Sequence, residues 1–151
     1  MSRQPFAKSL RSSGRSEESR GDKEIGTLLM SSEKKIVAVV DDDPEMRAAM
    51  VSLLSTLGYS PKTFDSAEAF LVCAPTSKAH CLVVDIQLPD ITGIELAYQL
   101  AADGIKVPVI FMTGLDDELT QVQAVGAGGV ALLHKPFSAK LLNDAIGMAL
   151  G

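Results

Sequence analysis

The sequence predicts an α/β fold: a doubly wound, five-stranded parallel sheet in the order 2-1-3-4-5, with five helices on both faces. Three observations carry this. From residue 35 onward, short apolar runs alternate strictly with amphipathic stretches, the pattern of a parallel sheet joined by right-handed helical crossovers. Most of the runs are continuously apolar, as expected of strands covered on both sides. The second run contains Pro61 and so suits an edge, which agrees with an order that puts strand 1 in the middle beside strand 3.

The elements follow in turn. "KIVAVV" (35–40) is the first strand. Asp43 is the N-cap of the first helix and Pro44 its first residue. Met46, Met50, Leu53, Leu54 and Leu57 form its apolar stripe, and Gly58 closes it. "YSPKTF" (59–64) is the weak edge strand, and "SAEAFLVC" (66–73) a short helix capped by Ser66. "HCLVVD" (80–85) is the third strand, and "GIELAYQLAADG" (93–104) the third helix, closed by Gly104. "VPVIFMTG" (107–114) is the fourth strand. "DDELTQVQAVGAG" (116–128) is a helix whose acidic first turn suits its dipole. "GVALLHKPF" (129–137) is the fifth strand, and "SAKLLNDAIGMAL" (138–150) the last helix, capped by Ser138.

Residues 35–151 are therefore expected to form one domain. Residues 1–34 mix charge, Ser and Gly without hydrophobic periodicity and read as a disordered extension. "MSSEKKIVAVVDDD" also makes Met30 an alternative start. No apolar run approaches the ~18 residues of a membrane span, and the N-terminus has no apolar segment of a secretory signal. A cytoplasmic protein that does not engage membranes is expected. The two cysteines, Cys73 and Cys81, lack zinc-site spacing and read as reduced, partly buried thiols.

The net charge of −5 is unevenly distributed. Residues 1–35 carry eight Lys/Arg against five Asp/Glu, a net of +3; the remainder carries six against fourteen, a net of −8. A domain this acidic is poorly suited to gripping phosphates of nucleic acid, so direct nucleic-acid binding is not expected. It suits a cation or a basic partner surface.

In a sheet of this order, ligands bind beyond the carboxyl ends of the strands at the switch point. Strand 1 ends in Asp41, Asp42 and Asp43, strand 3 in Asp85, strand 4 in Thr113, and strand 5 in His134, Lys135 and Pro136. Carboxylates brought this close repel one another and need a compensating cation; Mg²⁺, a hard ion that prefers oxygen ligands, serves. With a lysine and a hydroxyl beside them, they form the set required to hold a phosphoryl group while one carboxylate acts as nucleophile. Singly, each residue has a plainer reading: Asp after a strand is a turn or cap residue, and Lys at a strand end a solvated charge. His80 reads as a partly buried strand-end residue, and His134 lies at the rim without a ligand role.

"VVDDDPEMR", "LVVDIQLPDITG", "FMTG" and "HKPF", in this order and on these elements, resemble the receiver domain of two-component response regulators, the CheY-like family with a flavodoxin-like fold. The resemblance covers residues 35–151. "SAEAFL" and "MTG" are similar in wording to receivers of the nitrogen-fixation regulator type. The resemblance implies that Asp85 accepts a phosphoryl group from a histidine kinase or phosphotransfer protein. It implies that Asp41, Asp42, Asp85 and the main-chain carbonyl of Gln87 hold Mg²⁺, leaving the Gln87 side chain less constrained. It also implies that Thr113 and Lys135 contact the phosphoryl group, that the Lys135–Pro136 bond is cis, and that Pro89 and Gly93 shape the loop after Asp85.

It further implies a phosphoacceptor with at most self-dephosphorylation rather than an enzyme. On the same resemblance, output is expected to pass through the face of the fourth helix, fifth strand and fifth helix, to an unknown downstream protein or a homodimer partner. Where the family usually carries an aromatic three residues before the lysine, this chain has Leu132, so an aromatic rotamer cannot report the switch. A single-domain receiver is expected, with three alternatives: a phosphate sink without its own output, the receiver piece of a longer transcription regulator, and an interaction module that no longer switches. A phosphohydrolase with an Asp nucleophile is a more distant rival. Haloacid-dehalogenase-like enzymes carry D-x-D, whereas Asp85 is followed at the second position by Gln87.

Overall fold

A computed structural model of the chain describes residues 33–151. The expectations for the extension at 1–34, and for a start at Met30, fall on residues that lie almost wholly outside that range. The described part contains β1 (Ile36–Val40), α1 (Pro44–Thr56), β2 (Ser60–Phe64), α2 (Ala67–Cys73) with a 3₁₀ turn at Ala74–Thr76, and β3 (Cys81–Asp85). It continues with α3 (Gly93–Ala102), β4 (Val109–Thr113), α4 (Glu118–Gly126), β5 (Ala131–His134) and α5 (Ala139–Leu150). All strand pairs are parallel, in the order β2-β1-β3-β4-β5.

Alternate residues of each central strand point to opposite faces, and two cores result. Val37, Val39, Cys81, Val83, Ile110 and Met112 pack with Met50 and Leu54 of α1 and Leu142, Ala145 and Ile146 of α5. Ala38, Val40, Leu82, Val84 and Phe111 pack with Phe70, Leu96, Leu100 and Ala124 of the other three helices. β3 and β4 are buried throughout, which is why their sequences carry no polar alternation; β2, at an edge, is partly exposed at every position. Burial pushes the thiol of Cys81 up to about 12, so it acts as a small apolar side chain. Cys73, expected to be partly buried, is exposed, and so is His80, whose Nδ1 accepts from the Ile36 amide at 3.0 Å.

Helix starts follow the caps. The side chains of Asp43, Ser66, Thr92, Asp117 and Ser138 each accept a backbone amide of the first turn, satisfying donors that the helix leaves unpaired. Most elements are a residue or more shorter than their sequence runs. α4 begins at Glu118 because Asp117 is its extended N-cap. β5 ends at His134, and the Lys135 amide that follows still donates to the Thr113 carbonyl at 2.8 Å.

The register brings the strand ends level. Val40 pairs with Val84, Asp85 with Met112, and Thr113 with His134. These last residues of the strands, and those just past them, emerge at the same edge of the sheet, which is how Asp41, Asp85, Thr113 and Lys135 come together.

Candidate functional site

Three carboxylates meet at that edge. Asp41, Asp42 and Asp85 each offer an oxygen, and these oxygens lie within 4.8 Å of one another. Asp41 is fully buried, Asp85 is 6% exposed, and Asp42 faces solvent. The buried pair are held alike. Asp41 Oδ1 accepts from the Asp43 amide at 2.9 Å, and Asp85 Oδ1 accepts from the Gln87 amide at 2.9 Å. Their other oxygens share one ammonium: Lys135 Nζ donates to Asp41 Oδ2 at 3.0 Å and to Asp85 Oδ2 at 2.8 Å.

Lys135 thus offsets part of the charge repulsion. Burial, the largest single influence, opposes its ionisation. Its hydrogen bonds to Asp85 and Asp41, with the attraction of both charges, outweigh that and raise its pKa above the ordinary 10.5. This has a testable consequence. Replacing Lys135 with Met leaves two buried carboxylates without their cation, which is expected to destabilise the fold by about 2 kcal/mol at neutral pH. That is below the value for a fully buried pair, because Lys135 itself is partly exposed. The loss should shrink when Asp85→Asn is added. Since the folded pKa is raised, the contribution is complete below 10.5 and disappears as pH rises through the higher folded value. Urea titrations at neutral pH and above 10.5 should therefore show the difference between wild type and variant closing at the alkaline end.

The donor set fits a hard divalent cation: three carboxylate oxygens in reach of one another, two of them already oriented by backbone amides. The Lys135–Pro136 bond is cis.

Thr113 is fully buried but is not hydrogen-bonded to Asp85. Its hydroxyl accepts from the Leu115 amide at 3.0 Å and donates to the Gln87 side-chain oxygen at 2.9 Å. The Gly114 amide points to the same oxygen at 3.4 Å. The Gln87 side chain, expected to be loosely constrained, is instead fastened to β4. His134 lies apart from the carboxylates, with its Nε2 3.5 Å from Asp116 Oδ1. One participant was missed in the sequence: Arg47, whose guanidinium donates to the Asp41 carbonyl at 2.8 Å. It stands in the "DDDPEMR" stretch, one turn into α1, and its helical position was the available signal.

Beyond the site, α4 and its approach expose Leu115, Leu119, Val122 and Val125, and α5 exposes Leu141 and Met148. Leu132 is partly buried beside a depression of about 240 Å³ between α4 and β5.

The family model for the response regulator receiver domain matches residues 37–147. The chain is 33% identical over 127 residues to the response regulator protein TmoT of Ectopseudomonas mendocina, covering 84% of this chain and 58% of that protein. It is 37% identical over 110 residues to the transcriptional regulatory protein FixJ of Rhizobium meliloti, covering 73% and 54%. The chain therefore spans little more than half the length of these relatives. The crystal structure of FixJ-N superposes with a TM-score of 0.74 at 36% identity, over 78% of this chain and 94% of that one. The chemotaxis protein CheY4 of Vibrio cholerae matches at 0.73 with 21% identity, a likeness of fold alone.

Proposed function

The chain belongs to the response regulator receiver domain family of two-component systems, and from this premise we propose that Asp85 is its phosphoacceptor in a cytoplasmic, Mg²⁺-dependent phosphorelay. The observation that carries the reading is the buried Asp85 carboxylate, held between the Gln87 amide and Lys135 and within reach of Asp41 and Asp42. The phosphoryl donor is a histidine kinase or phosphotransfer protein. An Asp85 carboxylate oxygen attacks phosphorus; the P–N bond of the donor's phosphohistidine breaks, and the electron pair leaves with the imidazole nitrogen. Lys135 turns from the carboxylates to the phosphoryl oxygens, and the Thr113 hydroxyl donates to one of them.

Asp41, Asp42, Asp85 and the Gln87 carbonyl are the groups that would hold Mg²⁺, which supplies positive charge against the oxygens of the transferred group. The chain's own part is to fix the nucleophile, concentrate donors around it, and exclude water from the buried side. The phosphoryl group brings about −1.5 to −2 charge and new acceptors to the end of β4. The exposed apolar side chains of α4 and of α5 support an output through the α4–β5–α5 face, to a downstream protein or a second copy. With Leu132 at the depression beside β5, a leucine repacks where the family's aromatic would turn.

The full chain, incubated with acetyl phosphate and Mg²⁺, is expected to gain one phosphoryl group by intact mass, mapping to Asp85 and lost on chelation. Labelling elsewhere would sink the assignment. Continuous turnover of a phosphate ester would point to the phosphohydrolase instead.

A further inference from the structure

We propose that the Gln87 side chain is an internal competitor of the phosphoryl group: it occupies the hydroxyl of Thr113 in the resting protein and must leave before that hydroxyl can serve the acyl phosphate. The inference rests on Asp85 as phosphoacceptor and adds a residue that sets the rate and extent of its modification.

The geometry is specific. The Thr113 hydroxyl accepts from the Leu115 amide at 3.0 Å, so its single proton is left to donate, and it donates to Gln87 Oε1 at 2.9 Å. The Gly114 amide converges on the same oxygen at 3.4 Å. Two donors facing one atom determine the orientation of the carboxamide, since a flip would set the NH₂ group against both. Gln87 is exposed, so water could satisfy its oxygen at no structural loss. Its attachment to β4 is therefore a feature of the site and not a rescue of a buried group.

A hydroxyl with one proton cannot donate to two acceptors at once. In the resting chain the acceptor is the carboxamide; after transfer it is a phosphoryl oxygen. The carboxamide thus imitates the oxygen that will replace it. The competitor is tethered two residues beyond the nucleophile, and its own amide anchors Asp85 Oδ1. That anchor belongs to the main chain and survives any substitution of the side chain, so the two roles of Gln87 can be separated. Release of the carboxamide also frees Thr113 and Gly114 from Gln87, and these residues lead into the exposed apolar side chains of α4. The same displacement that admits the phosphoryl group loosens the start of the output face.

The test compares wild type, Gln87→Ala, Gln87→Met and Gln87→Glu as full chains, each labelled with limiting acetyl phosphate and Mg²⁺ and followed by intact mass. Loss of one neutral hydrogen bond corresponds to about a fivefold change. Ala and Met are each expected to label about fivefold faster than wild type, and Glu, which keeps the acceptor and adds negative charge, more slowly. Met fills the space of Gln without its oxygen. If Met labels at the wild-type rate while Ala is fast, bulk and not the acceptor is responsible, and the proposal fails. Equal rates in wild type, Ala and Met would also overturn it, with Asp85 still standing as phosphoacceptor. Absence of label on Asp85 in wild type would overturn both readings. In the unlabelled protein, the Gly114 amide resonance should move alike in Ala and Met; an unmoved resonance counts against the contact.

Discussion

Asp85→Asn is expected to reduce phosphoryl uptake at least about 100-fold while leaving the fold intact. The amide is isosteric with the carboxylate but is not a nucleophile at neutral pH. In the native site Asp85 uses both oxygens, one for the Gln87 amide and one for Lys135. Asparagine has a single acceptor oxygen, so one of these bonds is lost. In exchange, one of two buried like charges disappears, and Lys135 keeps Asp41 as its partner. The opposing effects are each on the order of 1 kcal/mol, so the midpoint of urea unfolding should move little. Intact mass after acetyl phosphate treatment and a urea titration on the same preparation test both halves. A variant that labels like wild type would remove Asp85 from the centre of the mechanism.

Gly93→Ala is expected to destabilise the chain by about 3 kcal/mol and to impair labelling as well. The reason is space. A Cβ at Gly93 would lie 2.5 Å from the Asp85 carbonyl oxygen and 3.0 Å from both the Asp85 carbonyl carbon and Ile86 Cα. These are backbone atoms at the end of β3 and cannot rotate aside. The Gly93 amide donates to the Ile86 carbonyl at 3.1 Å, so the start of α3 is tied to the strand it would have to leave. Relief requires either α3 to retreat or the Asp85–Ile86 peptide to shift, and the second moves the nucleophile from Lys135. Thermal unfolding should fall by roughly 10 °C. Gly147→Ala is the control, because nothing lies within 4 Å of a Cβ there; inside α5 it should raise stability by about 0.5–1 kcal/mol. Gly93→Ala with wild-type stability would mean that the loop after β3 is looser than its contacts imply.

The strand order was legible because each device behind it is local. Continuous apolar runs marked β1, β3 and β4, and Pro61 marked the edge. Caps at Asp43, Ser66 and Ser138 could be named because a short polar side chain satisfies the amides just ahead of it, whatever surrounds the helix. Strand ends were less certain: the runs 107–114 and 129–137 were longer than the strands they contain. Apolar residues continue past the last ladder bond, and only pairing with a neighbour ends a strand.

The site divides the same way. The types of group at each strand end could be read in order along the chain, and the family resemblance gave them roles. Contacts between side chains from different strands could not. Gln87 looked unconstrained because the hydroxyl that holds it lies 26 positions away, and no periodicity connects residues so far apart. Arg47 reaches back to the Asp41 carbonyl through a helix whose pitch had to be built first. By itself the sequence determined the alternation of elements, the helix caps and the chemical inventory at the sheet's edge, since these depend on local sterics and patterning. Only the tertiary structure decided that Lys135 bridges two buried carboxylates and that Gln87 accepts the hydrogen bond of the Thr113 hydroxyl. Both depend on register and side-chain reach across neighbouring strands, where a displacement of one residue would turn each group to the opposite face.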